Sequence, residues 1–121
     1  MHIYSFEKLD VWIEARLLVK WIYIHTASFP FEEKFGLIMQ MRRAAVSIAS
    51  NLAEGSGRQS SRDQAHFSQI AYGSTIEVLT QLILANDLGF IDDSLLLEGR
   101  NKLESLTSRI AALRKSQQAK C

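Results

Sequence analysis

Asp63 and His66 stand three residues apart, which puts a carboxylate and an imidazole on one helical turn, where they could begin a metal site. A di-iron bundle needs a Glu-x-x-His pair twice and two further glutamates, and no second pair occurs. The spacing therefore predicts a first-turn carboxylate and a surface histidine, with no metal and no cofactor. Serines are plentiful, yet neither a G-x-S-x-G elbow nor a phosphate-cradling glycine loop accompanies them. Gly55-Ser56-Gly57-Arg58 has too few glycines for such a cradle and reads as a turn. Cys121, the single cysteine, ends the chain without a flanking base to make it a thiolate, and it cannot close an intrachain disulfide. No catalytic set emerges, and an enzyme is not expected.

The basic side chains suggest a different chemistry. Arg42, Arg58 and Arg62 fall in or just after one helical segment, and Arg109, Arg114, Lys115 and Lys120 lie near the carboxyl terminus. Such residues could contact the phosphates of RNA or DNA, with steep salt dependence as the signature. The net charge is only +1, from 14 basic and 13 acidic residues, so there is no global pull toward a polyanion. An oligomer would repeat each patch and raise weak contacts to useful avidity. The other reading is a scaffold that binds another protein and no nucleic acid.

A third pattern runs through residues 37–58. At 100° per residue, Leu37, Met41, Ala44, Ala45, Ile48 and Leu52 share one helical face, as a bundle core requires. Beside it lie Gln40, Arg43, Ser47, Asn51 and Glu54, within an arc of roughly 80°. Apolar residues return on the far flank, with Met39, Val46, Ala49 and Ala53. A polar stripe between two apolar ones predicts hydrogen-bonding groups that are buried or half-buried. Arg43 then needs a carboxylate, which Glu77 could supply from the same chain or Glu33 from another subunit. Loss of Arg43 would leave that carboxylate unpaired, at about 3–5 kcal/mol.

Four helical segments position these groups, at about 6–26, 31–54, 62–88 and 93–115. The first carries two apolar stripes, Val11, Ala15, Leu18 and Ile22, and Leu9, Ile13, Leu17 and Ile24, where one buried face would need only one. Pro30 pre-sets the first turn of the second helix, and Gly55-Ser56-Gly57 is expected to close it in left-handed backbone. Ser61-Arg62-Asp63-Gln64 reads as a capping box. The third helix again has two faces, Ala65, Tyr72, Ile76, Leu79 and Ile83, and Phe67, Ile70, Ala71, Val78, Leu82 and Ala85. Gly89 stops it. The last helix shows one stripe, through Leu96, Leu103, Leu106, Ile110 and Leu113, and residues from Ser116 onward are expected to fray.

If helices two and three are antiparallel about Gly57, Ser47 faces Ser68 and Arg43 faces Tyr72 and Gly73. Gly73 in mid-helix costs about 1 kcal/mol against alanine, a cost that makes sense if it admits Arg43 or a neighbouring helix.

Short connections and the absence of β-alternating stretches predict an all-α, antiparallel up-down-up-down bundle in a single domain over 1–121. At 47% apolar residues, 121 residues suffice for a core without staples. No apolar run reaches the roughly 18 residues of a membrane span, and no signal-peptide pattern opens the chain. A soluble cytoplasmic protein is expected.

From FEKLDVW through FPFEEKFGLIMQMRRAAVSIASNLAEGSGR to FSQIAYGSTIEVLTQLILANDLGFI, the sequence resembles the 23S rRNA intervening-sequence proteins. These are four-helix bundle proteins encoded in some bacteria within insertions in the large ribosomal RNA gene. It is also similar to the accessory variability proteins of diversity-generating retroelements. The resemblance implies an antiparallel protomer that assembles into a homopentameric ring, with no established catalytic role. Nucleic-acid or reverse-transcriptase binding attaches to some members. Carried over by position, the motif residues are Glu33, Gln40, Arg43, Ser47, Asn51, Glu54, Gly55, Gly73, Ser74 and Glu77.

Overall fold

Each periodic apolar segment becomes a helix, with boundaries set by local hydrogen bonding. The computed structural model describes residues 1–121 and contains four α-helices: α1 (Asp10–Thr26), α2 (Leu37–Ser56), α3 (Ser61–Asp87) and α4 (Asp93–Gln118). Single 3-10 turns at Ser5–Lys8 and Phe31–Glu33 precede α1 and α2, and there is no strand. The first two helices thus start later than the apolar pattern alone suggests. Pro30 seeds the second 3-10 turn, and Gly36, at φ −109° and ψ −114°, takes the chain out of helical geometry before Leu37.

The turns are capped by short polar side chains. Ser60, one residue before the serine expected from sequence, is the N-cap of α3: its Oγ accepts the Asp63 N–H at 3.1 Å. A cap of this kind is worth about 1 kcal/mol. Gln64 does not complete a box; its Nε2 donates to the Arg58 carbonyl at 2.9 Å and ties down the loop. Asp92 caps α4 by accepting from Leu95 N–H at 2.8 Å.

Gly89 ends α3 as anticipated. It has φ +80°, and the Phe90 N–H reaches back to the Ala85 carbonyl at 2.8 Å, the six-residue closure of a Schellman motif. Gly57 differs from expectation, with a right-handed backbone at φ −89°. Gly55 has another role. It is buried inside α2, and a Cβ there would lie 2.9 Å from Phe67 Cβ, so its missing side chain lets α2 and α3 approach closely.

Neighbouring helices run antiparallel in an up-down-up-down bundle. Ser47 meets Ser74 across α2 and α3, Ser68 meets Gln117 across α3 and α4, and Glu14 meets Arg109 across α1 and α4. One core joins all four, with Ala15, Ile22, Met41, Ile48, Val78 and Leu106 among its most enclosed members. The α1–α4 seam is the thinnest of the four helix pairings. It is fixed by the Trp21 Nε1–H donating to Glu98 Oε1 at 3.0 Å and by the Arg109–Glu14 ion pair at 3.1 Å. Beneath the Trp21 ring sits Gly99, where a Cβ would come within 2.8 Å of both the ring and Leu82 Cδ1. The segment expected to fray is helical to Gln118, because the buried Gln117 Oε1 accepts the Ser68 Oγ–H at 2.7 Å. No helix is long and apolar enough to cross a membrane.

Candidate functional site

The bundle uses one apolar stripe of α1 and leaves the other outside. Val11, Ala15, Leu18 and Ile22 are buried, while Ile13, Leu17 and Ile24 are exposed, Leu17 by 62%. On α3 the divide falls differently. Ala71, Val78, Leu82 and Ala85 are enclosed, Tyr72, Leu79 and Ile83 are half-buried, and Ile70 and Ile76 face out. The far flank of α2 stays open as well, with Met39, Ala49 and Ala53 half-buried and Val46 exposed.

Along that flank the structure forms a depression of about 580 Å³. Phe35, Ile38, Met39 and Val46 line it, Tyr23 of α1 forms one edge, and Lys34, Arg42 and Arg43 surround it with positive charge. Phe35 is 79% exposed and forms part of the apolar lining with Ile38, Met39 and Val46. The sequence pattern pointed to Met39 and Val46 but not to Tyr23 or Phe35, because these two sit outside α2 and join it only through the fold of the 27–36 connection.

The polar stripe of α2 is assembled in part. Ser47 Oγ lies 2.9 Å from Ser74 Oγ, and Asn51 Nδ2 donates to both the Ser47 carbonyl and its hydroxyl, at 2.8 and 3.0 Å. The α2–α3 register thus brings Ser47 to Ser74, not to Ser68 as sequence suggested, because α3 is shifted along α2 by more than a helical turn from the simple hairpin count. Glu54 pairs with Arg58 one turn on, at 2.7 Å. Gln40 is exposed, and Glu33 is half-buried beside Gly36.

Arg43 is a correction. It is exposed and does not pair with Glu77, whose Oε2 instead accepts from Gln81 Nε2 at 3.3 Å. It lies one turn before Ser47 and lines the open depression on that flank of α2, so its guanidinium stays in solvent and finds no carboxylate within the protomer. Gly73 is likewise not a passage for Arg43: a Cβ built there meets nothing within 4 Å in the protomer.

The basic candidates divide by environment. Arg42 donates to Thr26 Oγ1 at 3.0 Å and to the Tyr23 carbonyl at 3.3 Å, and it stacks over the Tyr23 ring at 4.4 Å, so it closes the carboxyl end of α1. That location also complements the helix dipole. Arg58 is held by Glu54 and lies over Phe67. Arg109 pairs with Glu14, and the half-buried Arg114 lies over Tyr72 at 5.3 Å. Arg62 and Lys115 are exposed and form no ion pair, and both stand at the bundle end that carries the α2–α3 turn. That end also holds Lys8, Arg58 and Lys120. The opposite end carries Glu32, Glu33, Asp87, Asp92, Asp93 and Glu98 against Lys34 and Arg42. The cations of the α2–α3 turn end stand among Glu7, Asp10, Glu54 and Asp63, so one end of the protomer is more acidic than the other although its net charge is +1.

Asp63 and His66 are both exposed on the first turns of α3, where the imidazole packs edge-on to Phe67. No group of three or more His, Cys, Asp or Glu side chains is arranged to hold a metal ion.

The model of a family described as 23S rRNA-intervening sequence protein matches residues 7–112. No curated protein gives a match. Among solved structures, the chain is similar to a crystal structure from Bacteroides thetaiotaomicron, described as a protein with unknown function from the S23 ribosomal protein family. The TM-score is 0.78 at 19% identity, over 87% of this chain and 98% of that one. At that identity the likeness establishes a shared fold.

Proposed function

This chain belongs to the 23S rRNA-intervening sequence protein family, and we propose that it acts as a non-enzymatic, self-assembling scaffold, cytoplasmic and ring-shaped, with five copies as the family resemblance implies. The observation that carries the reading is the apolar surface left on α1 and α2. Phe35 and Val46 are exposed at the 580 Å³ depression, and Leu17, on the side of α1 that faces α4, and Ile24 stay exposed outside it, together more apolar surface than a lone soluble protomer ordinarily presents.

The ring repeats the basic end of each protomer, and RNA or DNA is the ligand that this end fits. Exposed Arg62 and Lys115, with Lys8 and Lys120 beside them, supply the phosphate contacts, whereas Arg42, Arg109 and Arg114 serve the fold. Repetition turns individually weak contacts into avidity. The second reading, a protein scaffold without nucleic acid, is favoured by the internal engagement of those three arginines.

Native mass measurement tests the assembly, and an RNA titration at two salt concentrations tests the ligand. Binding that falls steeply with salt and drops when Arg62 and Lys115 become glutamate supports the nucleic-acid role. Binding unchanged by that double substitution removes these residues from it, and the absence of binding at low salt favours the protein scaffold.

A further inference from the structure

Two depressions flank α2, and they carry opposite charge. The first, about 580 Å³, has Lys34, Arg42 and Arg43 among its lining residues and no carboxylate. The second, about 350 Å³, lies between α2 and the end of α3; Glu33 and Asp87 line it with Leu37, Leu84 and Leu88, and no cation joins them. At 100° per residue, the α2 positions lining the two point roughly 140° apart around the helix axis.

Both depressions contain charges that the protomer leaves unpaired. Arg43 is exposed and makes no ion pair. Asp87 is the last residue of α3, where the negative end of the helix dipole disfavours a carboxylate, and no basic side chain compensates it. Both also expose apolar side chains beside those charges, Phe35 by 79% and Leu88 by 59%. A cationic apolar hollow and an anionic apolar edge on one chain are complementary surfaces.

We propose that these surfaces are the two halves of one head-to-tail contact between copies of this chain. The Leu84, Asp87 and Leu88 edge of one copy, with its Glu33, enters the Tyr23, Phe35 and Val46 hollow of the next, and Arg43 and Lys34 receive the carboxylates. Because the two patches differ, they cannot meet across a two-fold axis; they propagate in one direction and close as a ring or extend as a chain. This contact rests on the self-assembly reading above and assigns its faces. It also accounts for the apolar flank of α2 and for the lone guanidinium at position 43.

Reciprocal charge reversal tests it. Wild type, Arg43→Glu, Asp87→Lys and the double variant are compared by sedimentation velocity at equal protomer concentration, with circular dichroism verifying that each is folded. Both positions are exposed, so the protomers retain their helix content. Each single reversal is expected to weaken association by about a hundredfold or more through like-charge juxtaposition, and the double variant to regain association within about tenfold of wild type. Singles that assemble like wild type, or a double that stays dissociated, overturn this contact while leaving self-assembly standing. A wild-type chain that sediments as a monomer overturns both.

Discussion

Replacing Gly99 with alanine tests how tightly α1 is seated on α4, and Gly73 provides the matched control. Both glycines are in helix interiors, so alanine gains about 1 kcal/mol of helix propensity at either position. At Gly73 nothing lies within 4 Å of the added Cβ, and the protomer should keep the whole gain. At Gly99 the Cβ would lie 2.8 Å from Leu82 Cδ1 and from Trp21 Cη2, and 3.3 Å from Trp21 Cζ3. Leu82 is enclosed, and the Trp21 ring is held by its bond to Glu98, so neither can withdraw freely. Overpacking of this kind costs about 1–3 kcal/mol, which leaves Gly99→Ala destabilised by up to about 2 kcal/mol net. Urea melts at one fixed protomer concentration, which keeps assembly from shifting the midpoints, should place the two variants on opposite sides of wild type. At roughly 3–6 °C per kcal/mol for a chain of this length, a thermal scan would also resolve them. If Gly99→Ala is stabilised as much as Gly73→Ala, the close seating of Trp21 on α4 is refuted.

Ile48→Ala should cost about 2–5 kcal/mol in denaturant unfolding, since Ile48 is wholly enclosed between the helices. Arg43→Ala should shift the unfolding free energy of dilute protomer by less than about 0.5 kcal/mol, as for an ordinary surface change; a loss of 3 kcal/mol would restore the buried pair expected from sequence. Ser68→Ala removes the donor to Gln117 Oε1 and should cost about 1 kcal/mol, with faster hydrogen exchange confined to the last turn of α4 as the distinguishing readout.

The core of α2 was legible because Met41, Ala44, Ala45, Ile48 and Leu52 repeat at helical spacing and all five are buried. The surplus stripe on α1 was legible for the same reason, and Ile13, Leu17 and Ile24 do remain uncovered in the protomer. Arg43 was not, since periodicity gives an angle around one helix but not where the neighbouring helix lies. The α2–α3 register depends on the shape of residues 57–60, and a fold symmetric about Gly57 put Ser47 against the wrong serine. Adjacent serines at 60 and 61 offer the same hydroxyl, and only backbone geometry selects Ser60 as the cap. The acidic edge at Asp87 and Leu88 joins Glu33 and Gln40 from residues more than forty positions away, which no local pattern encodes.

The sparse packing between α1 and α4 also sets the order in which the molecule comes apart. With few contacts to that neighbour beyond two polar links and one ring, α1 is the element whose release disturbs the rest least, and α2, α3 and α4 keep their mutual contacts when it leaves. Such partial openings lie below the global unfolding free energy. Both tryptophans, Trp12 and Trp21, belong to α1. Intrinsic fluorescence therefore reports on this one helix, and its transition on heating should precede the loss of ellipticity that follows all four.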